Sequence, residues 1–275
     1  MTTALTDTHA HLNSEALEPD WRTWMDRAEK AGVHTVFVPG WDLPSSRSAV
    51  RLADTDTRIR AIVGIHPASS SQWNSDTMRE LSEMASHPGV VAIGEIGLDT
   101  YRGEDNLDQQ EHACREQMEL ARRCGLPVVL HCRPGAGTPG IVDTLLGWLV
   151  AHECADGAIW HCYGGDWEQA GRIADSGGFF GFDGPLTYKK NDALRRIAAS
   201  VPRDRLLLET DAPWLSPEPW RGRHPNVPEH LTAVAAALAS ATGLELGAIA
   251  RLTDDNTRRA FPRWNPGNPP AAVAI

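Results

Sequence analysis

Short apolar runs alternate with helix-length amphipathic stretches along almost the whole chain. The runs that read as strands are TALTDTH, HTVFVPG, IRAIVGIHP, VVAIGEIGL, PVVLHCR, GAIWHCYG, GFFGFDG and RLLLETDAP. Helical patterns lie between them. Asp20 stands where it can cap WRTWMDRAEKAG, and NLDQQEHACREQMELARRCG is the clearest amphipathic stretch. Gly32, Gly125 and Gly177 stand where helices should stop. Strand–helix units repeating at roughly 20 to 40 residues imply parallel pairing, because parallel strands need crossover helices. Eight such units predict a closed (β/α)8 TIM-type barrel, one domain over residues 1–262. The tail, residues 263–275, is rich in Pro, Gly and Ala and reads as disordered.

In such a barrel the chemistry sits at the carboxyl ends of the strands. The polar residues there are His9 and His11 after strand 1, His66 after strand 3 and Glu95 after the VVAI of strand 4. His131 follows strand 5, His161 strand 6 and Asp211 strand 8. A carboxylate closing an apolar run is costly unless it is protonated, paired or bound to a metal. His9 and His11 alternate on a strand, so both face inward, a pleat apart, and two such imidazoles can share one cation. Singly, each histidine reads as a hydrogen-bonded interior residue and Asp211 as an N-cap. Together, His9, His11, His131, His161, Glu95 and Asp211 read as a metal-ligating set. Six ligands are too many for one tetrahedral catalytic ion with an open position. They suit two ions ~3.5–4 Å apart sharing a carboxylate, with Glu95 as the bridge. The donors point to two divalent cations, with Mg, Mn and Zn as the candidates. Cys132 and Cys162 follow ligand histidines, so alternation turns both toward the helices as small apolar residues. Asp99 and Asp183 lie near the expected mouth, with substrate-facing and capping roles both open, and Trp214 beside Asp211 is placed to line the pocket.

Composition narrows the partners. The net charge is −10, so no global basic footprint for nucleic acid exists, although a local basic rim can still serve. Five cysteines without a CxxC pair suit a reduced, cytoplasmic protein. The opening MTTALTDTHAHL has no signal-like apolar region, and no apolar run approaches the ~20 residues of a membrane span. No membrane and no obligate protein partner is therefore expected.

Several segments in order give the chain a resemblance to a known family. They are DTHAHL at 7–12, GIHP at 64–67, GEIGLD at 94–99, PVVLHCR at 127–133, WHCYGG at 160–165 and PRDRLLLETDAPWLSP at 202–217. NVPEHL at 226–231 and DDNTRRAF at 254–261 complete the series. The chain resembles the TatD family of metal-dependent hydrolases, a branch of the amidohydrolase-like barrels. The resemblance implies a TIM-type barrel with one or two divalent metals, hydrolysing phosphodiesters, in relatives that act as 3′-to-5′ exonucleases on DNA or RNA ends. It makes His9, His11, Glu95 and Asp211 ligands of one metal, and Glu95, His131 and His161 ligands of the other. His66 would contact the substrate phosphate, and Glu209 would orient a ligand histidine from behind. The chain departs from the family pattern in HCR at 131–133, HCYGG at 161–165, Asp183 in GFDG and the longer loop RGRHPNVP at 221–228.

Two enzymatic readings follow. In the first, a metal-activated water attacks a phosphodiester at a nucleic acid end, Glu95 and Asp211 serve the reaction, and Arg133, Arg221 or Arg223 clamps the phosphate. In the second, the same site hydrolyses an amide or ester of a small molecule, a reading favoured by the acidic balance and Asp183. A metal kept only for structure would normally be closed and four-coordinate, which the ligand set does not fit.

Overall fold

The computed structural model describes residues 4–101, 106–135, 137–138, 140–154 and 156–264. Strands and helices alternate in chain order. They run β1 (Leu5–Asp7), α1 (Trp21–Lys30), β2 (Val33–Pro39), α2 (Leu43–Thr55), β3 (Ile59–Val63), α3 (Ser75–Ala85), β4 (Val90–Asp99) and α4 (Leu107–Cys124). Then come β5 (Val128–Arg133), α5 (Ile141–Ala151), β6 (Ile159–Trp160), α6 (Trp167–Asp175), β7 (Phe179–Phe182), α7 (Asp192–Ser200), β8 (Leu206–Leu208), α8 (Leu231–Thr242) and α9 (Leu246–Ala260). The strands follow one another in the sheet in the order β1 to β8. The end of β8 bonds to the start of the chain, through Thr8 N–H to Leu208 O at 3.0 Å and an Ala10–Ala212 bridge. This is the (β/α)8 barrel that the sequence pattern predicts.

Two compact units share the chain. The first holds Met1–Val38, Cys162–Asp175 and Phe179–Arg259. Its strands β7 and β8 pair in parallel, Phe180 beside Leu206 and Phe182 beside Leu208, and all these side chains are buried. Asp7, fully buried at the end of β1, accepts hydrogen bonds from Thr210 Oγ1 at 2.7 Å, Thr210 N–H at 3.0 Å and His9 N–H at 3.2 Å. One carboxyl group thereby joins the segments that carry His9 and Asp211. Burial pushes its pKa up to about 8, against those hydrogen bonds. Asn226, also fully buried, donates from its side chain to Thr210 O at 2.8 Å, and its Oδ1 lies 2.9 Å from His230 Nδ1. The NVPEH segment thus braces the strand end before Asp211.

The second unit holds Pro39–His161, Ser176–Gly178 and Ala260–Ile275. Its strands β3, β4, β5 and β6 pair in parallel. Glu95 lies inside β4, as the run VVAIGEIGL places it, and not after a strand that stops at VVAI. The ladder with β5 slips between Ile93 and Ile96 and then resumes at Ile96–Leu130. Such an irregularity re-aims a side chain without ending the strand. Two residues on, Gly97 has φ +137°, and a Cβ there would lie 2.0 Å from His131 O, so only glycine lets β4 pass β5 at this point.

Helix α4 supplies a pair of clamps. Gln110 and Gln117, both buried, stand seven residues apart and so share one helix face. Gln110 accepts from Asp99 N–H at 2.8 Å and donates to Asp99 O at 3.0 Å. Gln117 accepts from Ile65 N–H at 2.7 Å and donates to Ile65 O at 3.1 Å. The backbone beside His66 and the end of β4 are thereby pinned to one helix. Gln117→Leu keeps the volume but leaves both Ile65 backbone groups buried and unbonded. It is expected to lower stability by about 2–4 kcal/mol, at roughly 1–3 kcal/mol per orphaned group. An unchanged urea midpoint for this variant would dismiss the clamp.

Other expectations are modified in detail. Asp20 occupies the N-cap position of α1 but makes no side-chain cap bond. The tail is anchored further along than expected. Arg263 donates to Ala85 O at 2.7 Å and Val90 O at 3.1 Å, and Trp264 is buried. The remainder of the expected disordered tail, residues 265–275, lies outside the described residues. Among the described residues, no single helix is long and apolar enough to cross a membrane.

Candidate metal centre

The first unit gathers His9, His11 and Asp211, all buried, with ligand atoms within 4.8 Å of one another. Asp211 Oδ1 lies 3.5 Å from His11 Nε2 and 3.9 Å from His9 Nε2. The rings of His9 and His11 meet edge to face at 5.1 Å. Strand alternation thus persists beyond the end of β1, held by His11 N–H to Ala212 O at 2.7 Å and Asp211 N–H to His9 O at 2.9 Å. Asp211 itself has φ +53°, a conformation costing a non-glycine residue on the order of 1–3 kcal/mol that the surrounding bonds must sustain.

Glu209 backs this group. It is fully buried, accepts from Cys162 N–H and from Thr8 Oγ1 at 3.4 Å, and brings a carboxylate oxygen within 4.8 Å of a His9 ring nitrogen. A Cβ on Gly181 would lie 2.3 Å from Glu209 Oε2, so the glycine of GFFGF makes room for this carboxylate. Cys162 corrects the alternation argument. Its Sγ lies within 4.8 Å of carboxylate oxygens of Asp183 and Asp211, facing the site rather than the helices. The strand has already ended at Trp160, and Cys162 has φ +47°, which breaks the two-residue period. Burial, with the nearby Asp183, Asp211 and Glu209, pushes its thiol far up, so it stays protonated. Asp183 is buried rather than presented to solvent.

The second unit gathers Glu95, His131 and His161. Glu95 Oε1 lies 2.8 Å from His161 Nε2 and 3.3 Å from His131 Nδ1, with the carboxylate 3% exposed. The other nitrogen of His131, Nε2, lies 3.1 Å from Asp99 Oδ2, while Asp99 Oδ1 accepts Tyr101 N–H at 3.0 Å. Burial depresses the His131 pKa, but the Asp99 and Glu95 carboxylates outweigh it and leave it raised. Asp99 is the functional residue whose role sequence reasoning left open. Its two oxygens divide between a backbone N–H and the outer nitrogen of a ligand histidine, the arrangement that fixes a tautomer. Asparagine has one acceptor, which Tyr101 N–H would use, so its amide would face His131 and shift the ring proton to Nδ1. Asp99→Asn is therefore expected to weaken cation binding at His131 by about 10- to 100-fold. Calorimetric titration reads this directly, and an unchanged affinity would refute the assignment.

His66 sits edge to face with His131 at 4.3 Å. Its Nδ1 accepts Ala68 N–H at 2.9 Å, so the ring proton is on Nε2. Burial and the neighbouring His131 push its pKa down to about 3. A neutral Nε2–H donor is a poor metal ligand and a good partner for an anionic oxygen. Burial, with the nearby Asp99, raises the Cys132 pKa to about 12.

The three candidate clamping arginines occupy different settings. The Arg133 guanidinium lies 3.9 Å from the Tyr101 ring centroid and helps depress the Asp99 pKa, against the effect of burial. Arg221 lies 4.0 Å over the Tyr188 ring. Arg223 is exposed on the same loop, its backbone O accepting from Ser216 Oγ at 2.6 Å.

Both groups fit divalent cations on their chemistry. Each combines two imidazoles with a carboxylate, in a buried setting where an uncompensated carboxylate is costly. Cation–ligand bonds of about 2.0–2.2 Å put neighbouring ligand atoms about 3–3.5 Å apart. The Glu95 contacts at 2.8 and 3.3 Å and the His11–Asp211 contact at 3.5 Å lie close to that range.

The chain matches the family model for TatD related DNase over residues 6–262. It is 33% identical to the uncharacterized metal-dependent hydrolase YabD of Bacillus subtilis, covering 94% of this chain and 98% of that protein. It is 34% identical to the 3'-5' ssDNA/RNA exonuclease TatD of Klebsiella pneumoniae, covering 93% and 97%. The crystal structure of the Escherichia coli TatD homolog YJJV superposes with a TM-score of 0.87 at 30% identity, covering 95% of this chain and 99% of that one. The chain belongs to the TatD family of metal-dependent hydrolases.

Proposed function

We propose that this chain is a divalent-metal-dependent phosphodiesterase that removes nucleotides from the ends of single-stranded nucleic acid. The observation that carries the reading is Glu95, a buried carboxylate whose one oxygen meets the imidazoles of both His131 and His161. In this proposal His9, His11, Glu95 and Asp211 hold one cation and Glu95, His131 and His161 a second, with Mg, Mn and Zn as candidates. When bound, the cations supply an activated water and stabilise charge developing on the phosphate. The protein does the rest. Asp211 takes the proton of the attacking water, His66 Nε2–H donates to a non-bridging phosphate oxygen, and Arg133 pairs with the same phosphate from the rim. Asp99 and Glu209 position ligands rather than touch substrate.

The name of the Klebsiella pneumoniae relative supports the nucleic acid substrate. The test is a hydrolysis screen with Mg, Mn and Zn, setting 3′-ended oligonucleotides beside small amides, esters and phosphodiesters. Release of mononucleotides from oligonucleotide ends is the expected result. Turnover of an amide or ester with no phosphodiester cleaved would reassign the site to small-molecule hydrolysis.

A further inference from the structure

Among the described residues, the large aromatic side chains left exposed are Tyr101 at 61%, Trp167 at 60% and Trp214 at 55%. All three stand on segments that leave the carboxyl end of a barrel strand: Tyr101 past β4, Trp167 past β6 and Trp214 past β8. Exposed indole and phenol rings are costly, and each of these follows the carboxyl end of its strand, where barrel chemistry takes place. Trp214 is the most closely tied to it. Its backbone N–H donates to Asp211 O at 2.8 Å, and its ring stacks on His224 at 5.5 Å with 30° between the planes.

The loop that presents Trp214 is firmly held. Asn226 N–H bonds to Pro213 O at 2.9 Å, closing its ends, and Ser216 Oγ bonds to Arg223 O. Trp220 stacks on His230 at 4.0 Å, and Tyr188 OH reaches Ser216 O at 3.3 Å. The same loop carries Arg221 and Arg223 against a single acidic residue, Glu218, in a chain of net charge −10. A rigid aromatic face, a cationic edge and a place three residues from Asp211 make a combination that recognises a stacked base on a phosphate backbone.

We infer that Trp214, backed by His224, is the stacking platform for the base next to the cleaved phosphate of a single-stranded nucleic acid. This rests on the phosphodiesterase reading and adds how the substrate is held. Stacking is indifferent to base identity, so the platform holds the strand without sequence preference.

The test is a cycle of protein and substrate changes. Wild type, Trp214→Phe and Trp214→Ala are assayed on a thymidine hexamer and on the same hexamer with an abasic residue at the 3′ end. Binding of each fluorescein-labelled oligomer is followed by anisotropy in parallel. Removing the base should raise KM and Kd of the wild type about tenfold, should do nearly the same to Trp214→Phe, and should change Trp214→Ala less than twofold. Equal losses on the abasic oligomer in wild type and Trp214→Ala would overturn the platform while leaving the nuclease reading in place, as would a wild type indifferent to the missing base. A wild type that neither binds nor cleaves either oligomer would overturn both.

Discussion

Replacing Glu95 by glutamine is expected to cut kcat/KM by about 10³-fold or more while the metal-free protein keeps its fold. Glutamine preserves the shape of the side chain inside β4, and the strand's pairing with β5 does not use the carboxylate. What disappears is the negative charge that faces His131 Nδ1 and His161 Nε2. Without it, two cations would be held chiefly by neutral imidazoles on one side, and the charge that lets them sit close together is gone. Losing one preorganised electrostatic group commonly costs about 10²–10³ in rate, and in the proposed site this one group serves both ions. Thermal melting gives a second readout. Ligands that bind only the folded state stabilise it in proportion to occupancy, by about 2.7 kcal/mol at a hundred times Kd. Wild type should therefore melt several degrees higher with saturating Mn than in chelator, and Glu95→Gln should lose most of that difference. A variant with wild-type turnover would show that Glu95 is an ordinary buried carboxylate paired with two histidines.

Arg133→Met should lower kcat/KM on oligonucleotides by about 10²-fold, about 3 kcal/mol, within the range for removing one electrostatic stabiliser. Methionine keeps an unbranched apolar stem, so the change removes charge, donors and the guanidinium's contact with the Tyr101 ring more than volume. The same substitution should spare any amide or ester that the enzyme turns over, because a neutral substrate gains little from a cationic rim. Oligonucleotide affinity should also fall as salt rises, since each phosphate contact releases counterions. Arg133→Met with wild-type activity and an unaltered salt slope would remove this arginine from the substrate path.

The pattern of apolar runs was enough to place every strand, because each barrel strand is a short buried segment bounded by turn residues. The candidate ligands were legible for the same reason: a polar residue at the end of such a run has few innocent explanations. Legibility failed where the backbone leaves the regular period. The run VVAIGEIGL already holds Glu95, but nothing in it announces the slipped ladder between Ile93 and Ile96. Cys162 was turned outward by an alternation rule that no longer applies two residues past β6, at φ +47°. Gln110 and Gln117 carry no motif that marks them out within their amphipathic stretch. The signal that could have found them is their spacing of seven, on the face shared by Ala113, Cys114 and Met118, all buried. Asp99 reads from sequence as substrate-facing or capping; one oxygen does accept the Tyr101 N–H, but the other lies against His131 Nε2, a contact between residues 32 apart that no local pattern announces.

The most direct measurement is anomalous diffraction from crystals of the wild-type protein grown with Mn. The account predicts two peaks per chain, one among His9, His11 and Asp211 and one between His131 and His161, with Glu95 bonded to both. A single peak, or a Glu95 carboxylate turned away from the ions, would contradict it.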